Sequence, residues 1–332
     1  MQDKHILIID DDDVVKTTTE YNVFVQNIKD MNYDGFFNAT IVEDLDSTAY
    51  EVPLSIADKT ALTTSIPDVV VNQSFTSGKY IVNGAIYTYG TNAFSNIKDA
   101  IANSTSGETI YVFAGTYNES ITISKENVMI YGPNYNVVAA PMRYDEANIQ
   151  GTITITGNKV KLNGIGMIGT SSQILIGAVS DVSILNVYCT GYKDVNKTIS
   201  NTKYTYKVAV YSESSITNLV IKNSYFKGDL PELSNYRPLY CGTGTVTNAT
   251  IDNNYIDNGN DTNGVAISIY KIAGICKIQK NKIVFQSGNN TLYLGTEYNA
   301  CSEIWIRDNY FTSDQVENTK VATITVQRFT SN

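Results

Sequence analysis

From about residue 160 onward the chain repeats one short pattern of apolar and polar positions. Six octets fall into register: VKLNGIGM (160–167), VSILNVYC (182–189), LVIKNSYF (219–226), ATIDNNYI (249–256), CKIQKNKI (276–283) and IWIRDNYF (304–311). Each carries apolar residues at its first and third positions, then a polar bend, then an apolar residue at its eighth. Alternation of period two marks a half-buried strand, and the polar break marks a corner into the next strand. The third positions Leu162, Ile184, Ile221, Ile251, Ile278 and Ile306 lie 22, 37, 30, 27 and 28 residues apart, by difference of their numbers. Steps of this size suit one coil of three short strands. A single coil cannot bury its apolar face, whereas stacked coils bury it continuously. The pattern therefore predicts an all-β solenoid, a parallel β-helix.

The bends place asparagine in two columns. Asn186, Asn223 and Asn253 form one, and Asn254, Asn281 and Asn309 the next. Asparagine tolerates the left-handed backbone and pairs with copies of itself above and below, so these amides are read as a structural ladder rather than as ligand contacts. The 37-residue step contains 191–207, a polar insertion expected to bulge as a loop from one corner.

Upstream, Phe94, Ile97 and Ile101 recur at helical spacing. Asn92 or Ser95 is the expected N-cap, and Gly107 the expected end. A short helix laid over the first coil would cover apolar side chains and strand edges that an open solenoid end exposes. Residues 1–90 lack the coil repeat. They hold strand-like pieces at 5–9, 21–25, 36–42, 68–71 and 79–89, which predict a small β-rich module. The expected division is 1–90 for the module and 91–332 for the β-helix.

The segment GETIYVFAGTYNESITI (107–123), followed by NVMIYGPN (127–134), resembles the opening coils of the pectin-lyase-like superfamily of right-handed parallel β-helices. The resemblance implies a right-handed coil with a short N-terminal capping helix. It says little about activity, because that superfamily holds lyases, hydrolases, esterases, adhesins and phage tailspikes.

Composition narrows the choices. A formal charge of −9 without any Lys/Arg run argues against nucleic acid. No stretch of about 18 apolar residues is available for a membrane span. The first apolar run, Ile6–Ile9, meets Asp10–Asp13 too soon for a signal-peptide core. Asp10–Asp13 reads as a solvated turn, and neither metal nor cofactor is expected. Cys189, Cys241, Cys276 and Cys301 show no CxxC spacing and read as free thiols, at least two of them in the core.

Chemistry is less legible. A glycosidase needs two carboxylates flanking the scissile bond. Glu213, Asp229, Glu232, Asp257 and Asp261 are the candidates for such a pair, against the plainer reading of solvated loop acids. The aligned Tyr188, Tyr225, Tyr255 and Tyr310 are candidates for sugar stacking, or serve as stacked structural rings. A β-helix behind a distinct module is similar in layout to phage tailspikes and fibres. That resemblance implies a virion protein assembled in the host cytoplasm as a homotrimer, bound to other virion proteins through 1–90 and to a host-surface polysaccharide or receptor. The alternatives are a polysaccharide lyase or glycoside hydrolase of the same fold, and a cell-surface adhesin.

Overall fold

A computed structural model describes residues 49–141, 143–199, 201–228, 235–258, 264–285, 290–312 and 323–329. The pieces expected at 5–9, 21–25 and 36–42, and the turn Asp10–Asp13, lie outside the described residues.

The fold is a right-handed parallel β-helix of three faces. One face stacks Gly115–Tyr117, Ala147–Ile149, Gly166–Met167, Tyr188–Cys189, Tyr225–Lys227, Tyr255–Asp257, Lys282–Val284 and Tyr310–Thr312 in that order. A second runs from Val69–Val71 through Thr109–Val112, Met129–Tyr131, Lys161–Asn163, Val179–Leu185, Ile216–Lys222 and Val246–Asp252. A third stacks Ile121–Ile123, Thr152–Ile155, Gln173–Ile176, Val210–Ser212 and Leu239–Cys241. The last two faces merge where Ile267–Gln279 and Asn290–Arg307 each run through both as one long strand. Parallel strands joined by crossovers take the right-handed sense almost without exception.

The registers reproduce the sequence alignment residue for residue. Leu162 pairs with Ile184, Ile184 with Ile221, Ile221 with Ile251, Ile251 with Ile278, and Ile278 with Ile306. All but the last of this column are buried. Each such side chain contributes about 1.5–3 kcal/mol of apolar burial. Two features of the bends set the coil corners. Asn186, Asn223 and Asn253 hold left-handed backbone (φ 53°, 54° and 53°), with Lys280 and Asp308 (both 55°) continuing the column. Beside them, the Asn281 side chain accepts from the Asn254 backbone N–H (3.0 Å) and amide (2.9 Å), and donates to Asn309 (2.9 Å) and to the Ile251 carbonyl (2.9 Å). A second, exposed ladder ties Asp181, Asn218 and Asn248.

The capping helix is Ile97–Asn103, with Ile97, Ala100 and Ile101 in the solenoid core. Its N-cap is Asn96, whose side chain accepts from the Asp99 N–H at 2.8 Å, in place of the expected Asn92 or Ser95. The Glu119 carboxylate also accepts from the Ile97 and Lys98 N–H groups, at 2.8 and 2.9 Å. At the other end Lys125 donates to the Ile101 and Ala102 carbonyls (2.8 and 2.7 Å), so the helix stops at Ser104, ahead of Gly107. Acid at the first turn and cation at the last match the helix dipole.

The expected boundary at 90/91 is crossed. Val69–Val71 pairs with both Ala93–Phe94 and Thr109–Val112, so it is already a solenoid strand. The rest of the module lies on the flank of the first coils: strands Ala49–Glu51, Lys79–Val82 and Ala85–Thr88, and helix Ile56–Thr64. Its apolar residues Leu62, Phe75 and Tyr80 close over the outward side chains Val70, Tyr111, Phe113 and Tyr131. The helix opens with a capping box between Ser55 and Asp58. The other oxygen of the Asp58 carboxylate accepts a 2.5 Å bond from the Tyr111 hydroxyl, which pins the helix to the second face.

The thiols are free as expected. Cys189, Cys241 and Cys276 are buried and Cys301 partly so, and burial pushes the first three up to about 12.

Candidate functional site

The insertion at 191–207 is not the loop that its polarity suggested. It forms an antiparallel hairpin, Lys193–Ile199 against Thr202–Val208. Its period-two alternation places Val195, Tyr204, Tyr206 and Val208 on one face, and Val195 faces Tyr206 across the ladder. That apolar face packs on the outside of the third solenoid face. Tyr206, Val208 and Tyr240 make a buried cluster there, with Val195, Tyr211 and Tyr270 against it.

Under and beside the hairpin runs a strip of tyrosines. Successive centroids are 5.8 Å apart from Tyr211 to Tyr240, 5.5 Å from Tyr240 to Tyr270 and 4.7 Å from Tyr270 to Tyr293. Tyr211, Tyr240 and Tyr293 share the outward column of this face, where Ser268 holds the intervening place and Tyr270 reaches across from two residues on. The spacing is the strand separation itself, so the strip runs along the solenoid axis. Tyr206 leans on Tyr240 at 5.7 Å, and Tyr204 stacks on Tyr206 at 6.1 Å. Tyr211, Tyr270 and Tyr293 are half-buried and Tyr204 is exposed.

Charged groups border the rings. The Arg237 guanidinium lies 4.0 Å from the Tyr206 centroid and 5.9 Å from that of Tyr240. It donates at long reach to the Ser268 hydroxyl (3.4 Å) and the Tyr270 hydroxyl (3.3 Å). Lys197 pairs with Glu213 and sits 5.4 Å over the Tyr211 ring. Glu213 also accepts from the Thr243 N–H (2.8 Å) and the Tyr211 hydroxyl (3.2 Å). A Cβ on Gly242 would come within 2.2 Å of that carboxylate, so the glycine makes room for it. Burial alone would raise the Glu213 carboxyl, but Lys197 and Thr243 outweigh it and hold the group below the ordinary carboxylate range.

A pH prediction follows from that direction. A depressed folded value means that the Lys197–Glu213 clasp contributes stability above the unfolded carboxylate value of about 4.3 and loses it as pH falls through the lower folded value. Hydrogen-exchange protection of the hairpin should stay flat from about pH 8 to pH 5 and drop below that, and Glu213→Gln should flatten the acid limb. Equal acid sensitivity in the variant would remove Glu213 as the cause.

Of the described residues picked out by sequence, Glu213 borders this strip and the others fall on the first face. Tyr188, Tyr225 and Tyr255 do stack on the first face, at 5.3 and 4.7 Å. Lys282 then takes the place between Tyr255 and Tyr310, so the column is interrupted before Tyr310. Tyr225 is only 5 % exposed, and Tyr310 is 63 % exposed. Asp257 lies on that face too, buried and 3.2 Å from Lys227. Glu213 borders the tyrosine strip on the third face, so the two described carboxylates sit on different faces and each is bound to a lysine. Asp229, Glu232 and Asp261 lie outside the described residues.

No family model matches the sequence, and no curated protein does. Among solved structures the chain is similar to the pectin methylesterase of Aspergillus niger in two deglycosylated forms. One shares 14 % identity with a TM-score of 0.43 over 79 % of this chain and 92 % of that one. The other shares 13 % with a TM-score of 0.41 over 77 % and 92 %. The class of this protein, a parallel β-helix with an aromatic strip on one flank, follows from the strand registers and ring geometry described above.

Proposed function

We propose that this protein binds a glycan along the tyrosine strip of its third face. The observation that carries the reading is the set of half-buried rings Tyr211, Tyr270 and Tyr293, kept in line at one ring per coil by Tyr240, which is itself buried beneath the hairpin. Aromatic faces offer apolar area to sugar rings, and tyrosine adds a hydroxyl at the edge. A strip parallel to the stack suits an extended chain better than a single small molecule. Both oxygens of Glu213 are occupied by Lys197, Thr243 and Tyr211, which favours holding a sugar over cleaving it.

The finer reading is a virion spike or fibre that presents this strip to a host-surface polysaccharide. Its support is layout: a module clamped on the first coils at one end, and the strip along the later coils. Residues 1–90 would face other virion proteins in a homotrimer, and light scattering of the full chain would read the oligomer directly.

The test is binding to a printed panel of cell-surface polysaccharides. Tyr270→Ala should weaken the best ligand about five- to thirtyfold, since a stacked aromatic contact is worth about 1–2 kcal/mol. Tyr255→Ala, on the other face, should leave it unchanged. The reverse ranking would move the site to the first face.

A further inference from the structure

We propose that the ligand of the strip is an anionic glycan whose sugar-borne carboxylates are received by Arg237; this rests on the glycan reading above. The first observation is a local reversal of charge. The chain carries −9 overall, yet the hairpin strands and turn at 192–208 hold Lys193, Lys197, Lys203 and Lys207 against Asp194 as their sole acid. The second is how these cations are occupied. Lys207 is matched by Asp194 and Lys197 by Glu213. Among the described residues Lys193 reaches only the neutral Thr152 hydroxyl, at 3.3 Å.

Arg237 is the most telling of them. Among the described residues no carboxylate lies within ion-pair distance of it. Its flat face rests on Tyr206, and its contacts to Ser268 and Tyr270 are long and to neutral groups. A guanidinium held flat against rings and bonded only weakly to neutral hydroxyls is preorganised for a planar acceptor such as carboxylate. Among the described residues the acid that borders the strip is thus already neutralised, while Arg237 and Lys193 have no acidic partner. A neutral sugar chain would leave that charge uncompensated; a chain bearing carboxylates would meet it beside the rings.

The probes are a β-1,4-glucuronate hexamer and cellohexaose, which differ in carboxylate against hydroxymethyl at each ring, with sulfated cellohexaose as a third arm. By calorimetry on the full chain, the glucuronate hexamer should bind at least about tenfold more tightly than cellohexaose, with the advantage shrinking as salt rises from about 50 to about 500 mM. Arg237→Gln should bring the two to the same affinity, and Arg237→Lys should fall between, keeping charge but losing the fork. Lys193→Gln, at an exposed position, should cost the glucuronate arm about two- to threefold and the cellohexaose arm nothing. It decides the matter if Arg237→Gln does not fold. Equal binding of the glucuronate hexamer and cellohexaose overturns the anionic assignment while the glycan reading stands. Sulfated cellohexaose binding as tightly as the hexuronate overturns the carboxylate assignment. Binding of none of the three fails the strip as a glycan site.

Discussion

Asn281→Leu is expected to lower the unfolding free energy by about 3–4 kcal/mol, although leucine fits the volume. The asparagine is 1 % exposed and its side chain makes four hydrogen bonds, to Asn254 twice, to Asn309 and to the Ile251 carbonyl. Leucine would strand the Asn254 N–H and amide and the Ile251 carbonyl away from water, at about 1–3 kcal/mol for each group left unsatisfied, less whatever relaxation recovers. Stacked coils transmit the loss to both neighbours, because each depends on the next for its buried face. Urea titration followed by far-ultraviolet circular dichroism reads it as a shift in midpoint. Asn253→Ala is the paired control: the side chain is exposed, makes one 2.8 Å bond to Asn223, and its cost is the left-handed backbone, about 1–2 kcal/mol. A loss at Asn281 no larger than that at Asn253 would mean the interior amide ladder is not a main support of the stack.

The second large effect is at the join between module and solenoid. Asp58→Ala removes the capping box of the helix Ile56–Thr64 and leaves the buried Tyr111 hydroxyl without its acceptor. Loss of a cap costs about 1 kcal/mol and a stranded buried hydroxyl about 1–3 kcal/mol, so about 2–4 kcal/mol is expected. Burial and the Asp58 carboxylate both push the Tyr111 phenol well above its ordinary range, so it stays a donor. The loss should be local. Hydrogen exchange should speed up in Ala49–Glu51, Ile56–Thr64 and Lys79–Val82, while Val246–Asp252 keeps its protection. Combining Asp58→Ala with Tyr111→Phe should cost less than the sum of the two, because both remove one bond.

These two sites also mark what the sequence made legible. The Asn281 ladder could be read in advance, because octets with apolar residues at three fixed places put Asn254, Asn281 and Asn309 at the same corner of three successive coils. Register follows from period, and here the period is stated six times over. The Asp58–Tyr111 contact could not be read. Ser55 and Asp58 do spell a capping box, but Ile56 is 86 % exposed and only Ala61 and Leu62 among its apolar residues are buried. The apolar stripe is too narrow to announce a helix, and its partner is 53 residues away.

The tyrosine strip was missed for a related reason. An alignment anchored on the bend finds Tyr188, Tyr225, Tyr255 and Tyr310, which keep a constant distance from it. Tyr211, Tyr240 and Tyr293 precede Ile221, Ile251 and Ile306 by 10, 11 and 13 residues, by difference of their numbers. Corner length varies between coils, and the irregular pairing of Ile267–Gln279 with Asn290–Arg307 adds to the drift. The signal was a tyrosine between inward residues, as in Val210, Tyr211, Ser212 and Leu239, Tyr240, Cys241, which reads as an outward ring on a buried strand. The hairpin reads as a loop in the sequence because Lys, Asn and Thr dominate it. Its alternation of Val195, Tyr204, Tyr206 and Val208 gains meaning only once the strip is there to receive it.

Sugar is proposed to lie on the third face and not the first. A crystal structure of the full chain with the glucuronate hexamer would test it most directly. Sugar rings should sit over Tyr211, Tyr270 and Tyr293, with a carboxylate on the Arg237 edge and the hairpin in place. Sugar seated along Tyr188, Tyr225 and Tyr255 would contradict it.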